Sequence, residues 1–202
     1  MTARPVTVFT MTVCAFLAAC SGAAVRREPP ATVTAAPDPA ALFTRALTAQ
    51  ESGNAERAQA LWRQLIAAAP TQSAAHTNLG ILLRQAGNTD EAIREYETAI
   101  RLDPRDAWAY HNLGVAHRLR GAWQDAERAY RRAIELRPDQ MDSHYNLGIL
   151  YELYLNRPEE ALTQYRAVLS HGGPDADTVA PWVRALERRL APAPDAPTPE
   201  TR

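Results

Sequence analysis

The chain has 202 residues, 22 basic and 23 acidic side chains, and a formal net charge of −1 at pH 7. That balance offers no positive field for a phosphate backbone, so no nucleic-acid partner is expected. Apart from the histidines every basic side chain is an arginine, which excludes a P-loop lysine and a Schiff-base lysine.

At the start of the chain, Met1 and Arg4 precede an apolar run from Val6 to Leu17, and Leu17-Ala18-Ala19-Cys20-Ser21-Gly22 closes it. A membrane-crossing helix needs about 20 apolar residues, so a run this short suits the hydrophobic region of a signal peptide. Small residues before a cysteine at its end resemble the lipobox of bacterial lipoproteins. The resemblance implies a leader over residues 1–19, cleavage behind Ala19 and a diacylglycerol on the sulfur of Cys20. In a cell with two membranes, Ser21 after that cysteine implies sorting to the periplasmic face of the outer membrane. Cys14, the second of the two cysteines, lies within the leader, so the processed chain would keep no thiol for a disulfide. Acyl chains contribute about 0.8 kcal/mol per buried methylene, and several on one cysteine would hold the chain firmly to a membrane. The alternative is an exported soluble protein with cysteines near its leader.

Residues 20–38, rich in Ala, Pro and Thr, read as a disordered tether between the anchor and the rest of the chain. Beyond it a period takes over. Pro70, Pro104 and Pro138 stand 34 residues apart, and between them recur Asn78-Leu79-Gly80, Asn112-Leu113-Gly114 and Asn146-Leu147-Gly148. A second cassette alternates with the first: Asp90-Glu91-Ala92-Ile93, Gln124-Asp125-Ala126-Glu127 and Glu159-Glu160-Ala161-Leu162. Self-similarity at this spacing marks an array of helix pairs rather than one globular core. A glycine in a helix interior costs about 1 kcal/mol relative to alanine, so Gly80, Gly114 and Gly148 need a compensating role. Close approach of the paired helix supplies one, with Ala92, Ala126 and Ala161 facing the glycines and Tyr96, Tyr130 and Tyr165 filling the space behind. Gly87 and Gly121 end first helices, and each proline stops a second helix.

These positions resemble the tetratricopeptide repeat, which expects a large residue at position 4, Leu at 7, Gly or Ala at 8, an aromatic at 11, Ala at 20, an aromatic at 24, Ala at 27 and Pro at 32. His76, Leu79, Gly80, Leu83, Ala92, Tyr96, Ala99 and Pro104 supply them in repeat two (73–106), and Tyr110, Leu113, Gly114, His117, Ala126, Tyr130, Ala133 and Pro138 in repeat three (107–140). Repeat four (141–174) follows with His144, Leu147, Gly148 and Tyr151. It then slips by one residue, at Asn156-Arg157-Pro158 in the turn between its helices, so that Ala161, Tyr165 and Val168 take the second-helix places. A divergent repeat one (39–72) carries Ala46, Gly53, Ala58, Trp62 and Pro70 but places Arg45 where Leu is expected, as terminal repeats do when one face meets solvent. Residues 175–190 form one more amphipathic helix, with Val179, Trp182, Val183, Leu186 and Leu190 on one face, and cap the array. Residues 191–202 are a low-complexity tail. The fold class is therefore all-α, a solenoid of about four repeats with a capping helix.

Catalytic constellations are missing: there is no Gly-x-Ser-x-Gly, no His-Glu-x-x-His, and no glycine-rich phosphate loop. His76, His144 and His117 fall at core positions, and His111 and His117, six apart on one helix, do not share a face for a metal. No cofactor or metal is implied. In relatives of this kind the first helices line a concave groove, and the resemblance places Thr77, Asn78, Ile81 and Arg84 in it. Repeat three adds Trp108, His111, Asn112, Val115 and Arg118, and repeat four adds Asp142, Tyr145, Asn146, Ile149 and Glu152. The three equivalent asparagines resemble a ladder by which some relatives hold an extended peptide backbone, because a primary amide both donates and accepts. The other reading gives them a local hydrogen-bonding role. The resemblance implies a non-catalytic, membrane-tethered adaptor holding a peptide segment or partner protein of the cell envelope, in pilus or secretion-channel assembly or in peptidoglycan remodelling. Two rivals are a structural self-assembler stacking through exposed Phe43 and Leu47, and an enzyme, for whose catalytic domain residues 39–190 leave no room.

Overall fold

The computed structural model describes residues 38–172 and 176–191. The expected leader, the Cys20 lipidation site, the tether before Asp38 and the tail after Ala191 lie outside those residues. Helices run over Pro39–Glu51 (α1), Ala55–Ala68 (α2), Ser73–Gln85 (α3), Thr89–Leu102 (α4), Ala107–Arg120 (α5), Trp123–Leu136 (α6), Met141–Ile149 (α7), Pro158–His171 (α8) and Ala176–Leu190 (α9). No strand occurs among the described residues.

Local chemistry accounts for the boundaries. Asp38 caps α1 by accepting from the Ala40 amide at 3.1 Å, with Pro39 in the first turn. Asn54 caps α2 through the Arg57 amide at 3.1 Å, and Asp106 caps α5 through the Ala109 amide at 3.0 Å. Asp90 and Glu91 begin α4, and Glu159 and Glu160 begin α8, where carboxylates meet the positive end of the helix dipole. At the other end α2, α4 and α6 each stop two residues before Pro70, Pro104 and Pro138.

Each odd-numbered helix from α1 to α7 packs on the even one after it, and each even one on the next odd one, while α3 also touches α5. Contacts that run only between neighbours define a solenoid. The core comprises two clusters, one spanning α1 to α6 and one running from α6 to α9. α9 buries Val179, Val183 and Leu186 in the second.

The glycines of α3, α5 and α7 meet the paired helix more directly than the sequence reading has it. The tyrosine ring lies on the glycine itself: a Cβ at Gly80 would stand 2.6 Å from Tyr96, and one at Gly114 would stand 2.6 Å from Tyr130. Tyr165 closes on Gly148 in the same way. In repeat one, Ala46 and Trp62 occupy these two places, and both are fully buried. Phe43 meets Trp62 edge-on, centroids 5.2 Å apart, and both Phe43 and Leu47 are half-buried against the core. The expectation that they are exposed for stacking is corrected: Phe43 packs on the Trp62 indole, and Leu47 lies against the same core cluster.

Repeat four absorbs its extra residue earlier than expected. α7 continues into a π-helical stretch, Leu150–Tyr154, whose widened turn is closed by the Leu155 amide donating to the Leu150 carbonyl at 3.1 Å. Asn156 then adopts φ +53°, the left-handed conformation that Gly53, Gly87 and Gly121 take in the earlier repeats. The slip therefore lies inside the first helix, and the turn keeps its shape with asparagine in place of glycine.

Candidate functional site: the face of the first helices

α3, α5 and α7 each present one polar rail and one apolar rail on the face away from their paired helices. In the polar rail, Asn78 donates from Nδ2 to the Ala74 carbonyl at 2.8 Å, Asn112 to Trp108 at 2.9 Å and Asn146 to Asp142 at 2.8 Å. One amide hydrogen of each is thus tied to its own helix. Each Oδ1 accepts no hydrogen bond among the described residues, which leaves one acceptor per repeat at equal intervals.

Beside the first two asparagines lies a cavity of about 290 Å³ whose walls include Thr77, Ile81, Asp106 and Trp108. Thr77 is buried and donates from Oγ1 to Asp106 Oδ2 at 3.0 Å, which ties α3 to the cap of α5. Trp108 is 43% exposed, the largest side chain on this face to remain so, and Arg137 lies 5.9 Å from its ring centroid. One repeat on, Gln140 stands at the place of Asp106; it is 5% exposed, and neither of its amide atoms has a partner.

His111 does not belong to the open face. It is buried, with Nδ1 2.9 Å from Ser143 Oγ and its ring edge-on to Trp108. Burial lowers its pKa to about 4, against the pull of Asp142 and with the push of Arg84, so the ring is neutral at pH 7. Asn112 is also buried, while Val115 and Ile149 are half-buried against the second core cluster. Tyr145 stacks on Trp182 of α9 with centroids 5.9 Å apart.

A further series appears at position 12 of the repeat. In repeat one Gln50 accepts from Trp62 Nε1 at 3.1 Å, and in repeat four Glu152 accepts from the Tyr165 hydroxyl at 3.1 Å. Between them Arg84 lies beside Tyr96, and Arg118 beside Tyr130 and Tyr154. The Nε atoms of both arginines and the hydroxyls of Tyr96 and Tyr130 are buried, and none makes a hydrogen bond of good geometry. Burial raises the pKa of both tyrosines, and the neighbouring guanidinium offsets only part of it. For Arg118 burial works against the charge, yet its tyrosine neighbours outweigh it and raise the pKa.

The groove residues expected from the resemblance therefore fall into three groups. Thr77 and His111 are buried at joints between helices, and Asn112 is buried while bonded within its own helix. Asn78, Ile81, Arg84, Arg118, Tyr145, Asn146 and Ile149 are half-buried on the face, with Val115, and Trp108 stands open. Sequence reasoning missed the exchange at position 12. The signal was present as Gln50, Arg84, Arg118 and Glu152 at 34-residue spacing, but its aromatic partners become visible only when the helix pairs are folded.

Comparisons with known proteins agree with this geometry. The description "Tetratricopeptide repeat" matches residues 40–71, 107–140 and 129–163, and "TPR repeat" matches residues 80–119. Among solved structures, MamA superposes with a TM-score of 0.64 at 23% identity, covering 71% of this chain and 83% of that one. PilF of Pseudomonas aeruginosa gives 0.67 at 22% identity, covering 75% of this chain and 68% of its own. A thermophilic tetratricopeptide-repeat protein of Thermus thermophilus gives 0.61 at 26% identity, covering 74% and 81%. No curated protein matches. Within residues 40–163 the chain is thus built of tetratricopeptide repeats, and its helical array is a solenoid of that kind.

Proposed function

We propose that this chain is a non-catalytic scaffold that holds an extended segment of a partner protein along α3, α5 and α7. The observation that carries the reading is the row of unused Oδ1 acceptors on Asn78, Asn112 and Asn146, running past a cavity walled by the exposed Trp108. An extended backbone offers amide donors at regular intervals, and such a row can take them without requiring a particular sequence. An apolar side chain of the segment would bury itself against Trp108 and Ile81, where ring area supplies most of the binding energy. The chain would be tethered to a membrane of the cell envelope through a lipid on Cys20, with an envelope protein as its partner.

The test combines two variants. Replacing Trp108 and Asn112 together with alanine should sharply reduce recovery of cross-linked partners from the native envelope while the circular dichroism spectrum keeps its helical form. Recovery that does not fall would reject the groove. Cys20→Ser should abolish lipid labelling and membrane retention, and labelling that persists would overturn the anchor.

A further inference from the structure

Resting on the groove reading, we propose that the bound segment carries an acidic side chain whose carboxylate seats against Arg84 and Arg118, followed toward α9 by an apolar residue. The two guanidinium groups occupy equivalent places on successive first helices, and both are half-buried. Neither forms an ion pair with a carboxylate among the described residues, whereas Arg120, Arg157 and Arg166 each do. Their Nε atoms are buried without a hydrogen bond of good geometry, beside tyrosine hydroxyls. Arg84 also acts electrostatically on His111 and Tyr130 of the next repeat, so its charge and that of Arg118 converge on one region. The charge of Arg118 is supported by its tyrosine neighbours rather than by a counter-ion, and an incoming carboxylate would add a charge-assisted pair that the fold itself does not supply. A planar carboxylate also matches the fork of a guanidinium better than a neutral amide does.

Repeat four breaks the series and gives the ligand a direction. Glu152 stands where the arginines stood, engaged by Tyr165 at 3.1 Å and with Arg189 at 3.9 Å. A second anion is repelled there. Next to Glu152 opens a cavity of about 250 Å³ walled by Ile149, Leu153 and Trp182, which suits an aliphatic or aromatic side chain. Packed helices lie about 8–10 Å apart, and α5 and α7 belong to successive repeats; with an extended chain rising about 3.3 Å per residue, the acid and the apolar residue should stand about three or more residues apart.

The experiment selects from random eight-residue peptides displayed on phage, using the full chain in mild detergent, and measures labelled winners by fluorescence anisotropy. The expected winners carry Asp or Glu about three or more residues from a large apolar side chain. Arg84→Gln with Arg118→Gln should weaken them at least tenfold, Arg84→Lys with Arg118→Lys much less. Changing the peptide acid to its amide should cost nothing further in the Gln variant, the mark of a direct pair. Winners without an acidic residue, or winners indifferent to the Gln pair, overturn this proposal; if Trp108→Ala with Asn112→Ala still weakens them, the groove itself stands. Should the Gln pair lose its helical spectrum, the Glu152→Arg variant decides: a gain in affinity for the same peptides supports the inference, and no change overturns it. No enrichment of any peptide rejects both the groove and the acid.

Discussion

Repeats three and four open on closely related segments, Tyr110-His111-Asn112-Leu113-Gly114 and His144-Tyr145-Asn146-Leu147-Gly148, and close differently. α5 runs to Arg120 and turns on Gly121, whereas α7 widens into a π-helical stretch and turns on Asn156. Even so, the second-helix tyrosine reaches its glycine in both, Tyr130 on Gly114 and Tyr165 on Gly148. What changes is the side chain at position 12, Arg118 in one and Glu152 in the other. The contrast teaches that the glycine–tyrosine contact fixes where the second helix sits, while length and charge vary around it. Packing is held constant, and the exposed face is free to specialise.

Acid should break the symmetry of the two repeats most strongly. His111 and His117, whose pKa values burial lowers, both belong to α5, and Tyr145 takes the place of His111 in repeat four. His111 titrates at about 4 in the fold and at 6.5 in the unfolded chain. Between those values the unfolded chain binds more protons, so stability present above pH 6.5 is lost as the pH falls toward 4. The loss attributable to His111 is on the order of 3 kcal/mol. Urea midpoints recorded from pH 7 to pH 4 should drop accordingly, and His111→Gln should flatten much of that slope.

Next in size is the glycine contact itself. Gly114→Ala and Gly148→Ala should each destabilise the array by about 2 kcal/mol, despite the better helix propensity of alanine, because the new methyl group meets a buried ring. Equal losses in denaturant melts would show that the π-helical stretch leaves the packing of α7 on α8 intact. A much smaller loss at Gly148 would show a looser pair.

The smallest expected effect lies at the turn. Asn156→Gly removes a left-handed asparagine and should stabilise repeat four by about 0.5–1 kcal/mol, visible as a rise of about 1–3 °C in Tm. A fall would mean that the Asn156 side chain itself holds the turn.

The period made much of this fold legible, since Pro70, Pro104 and Pro138 mark the ends of second helices, and Gly87 and Gly121 the turns after first ones. Counting could not locate the extra residue of repeat four, because a spacing of 35 reads the same wherever the insertion falls. Asn156 held the clue: asparagine is the residue after glycine that best tolerates left-handed backbone, and it placed the turn downstream of the insertion. The face was legible only in part. His111 falls at a face position by helical phase, but a joint with Ser143 of the next repeat draws it inward. Such burial depends on the neighbouring repeat, which a pattern within one helix does not contain.

The four tryptophans fall in α2, α5, α6 and α9, each in a different setting. Trp62 is sealed in the core, Trp108 faces water, Trp123 stacks on Tyr154 at 4.4 Å and Trp182 lies against Tyr145 and Tyr165. Each helix pair touches only its neighbours, so light emitted by one indole reports the melting of its own stretch of the array. Trp62 should emit at short wavelength until the first pair opens, and Trp108 at long wavelength throughout. Chains keeping one tryptophan each would show whether the solenoid unravels from an end or from the middle.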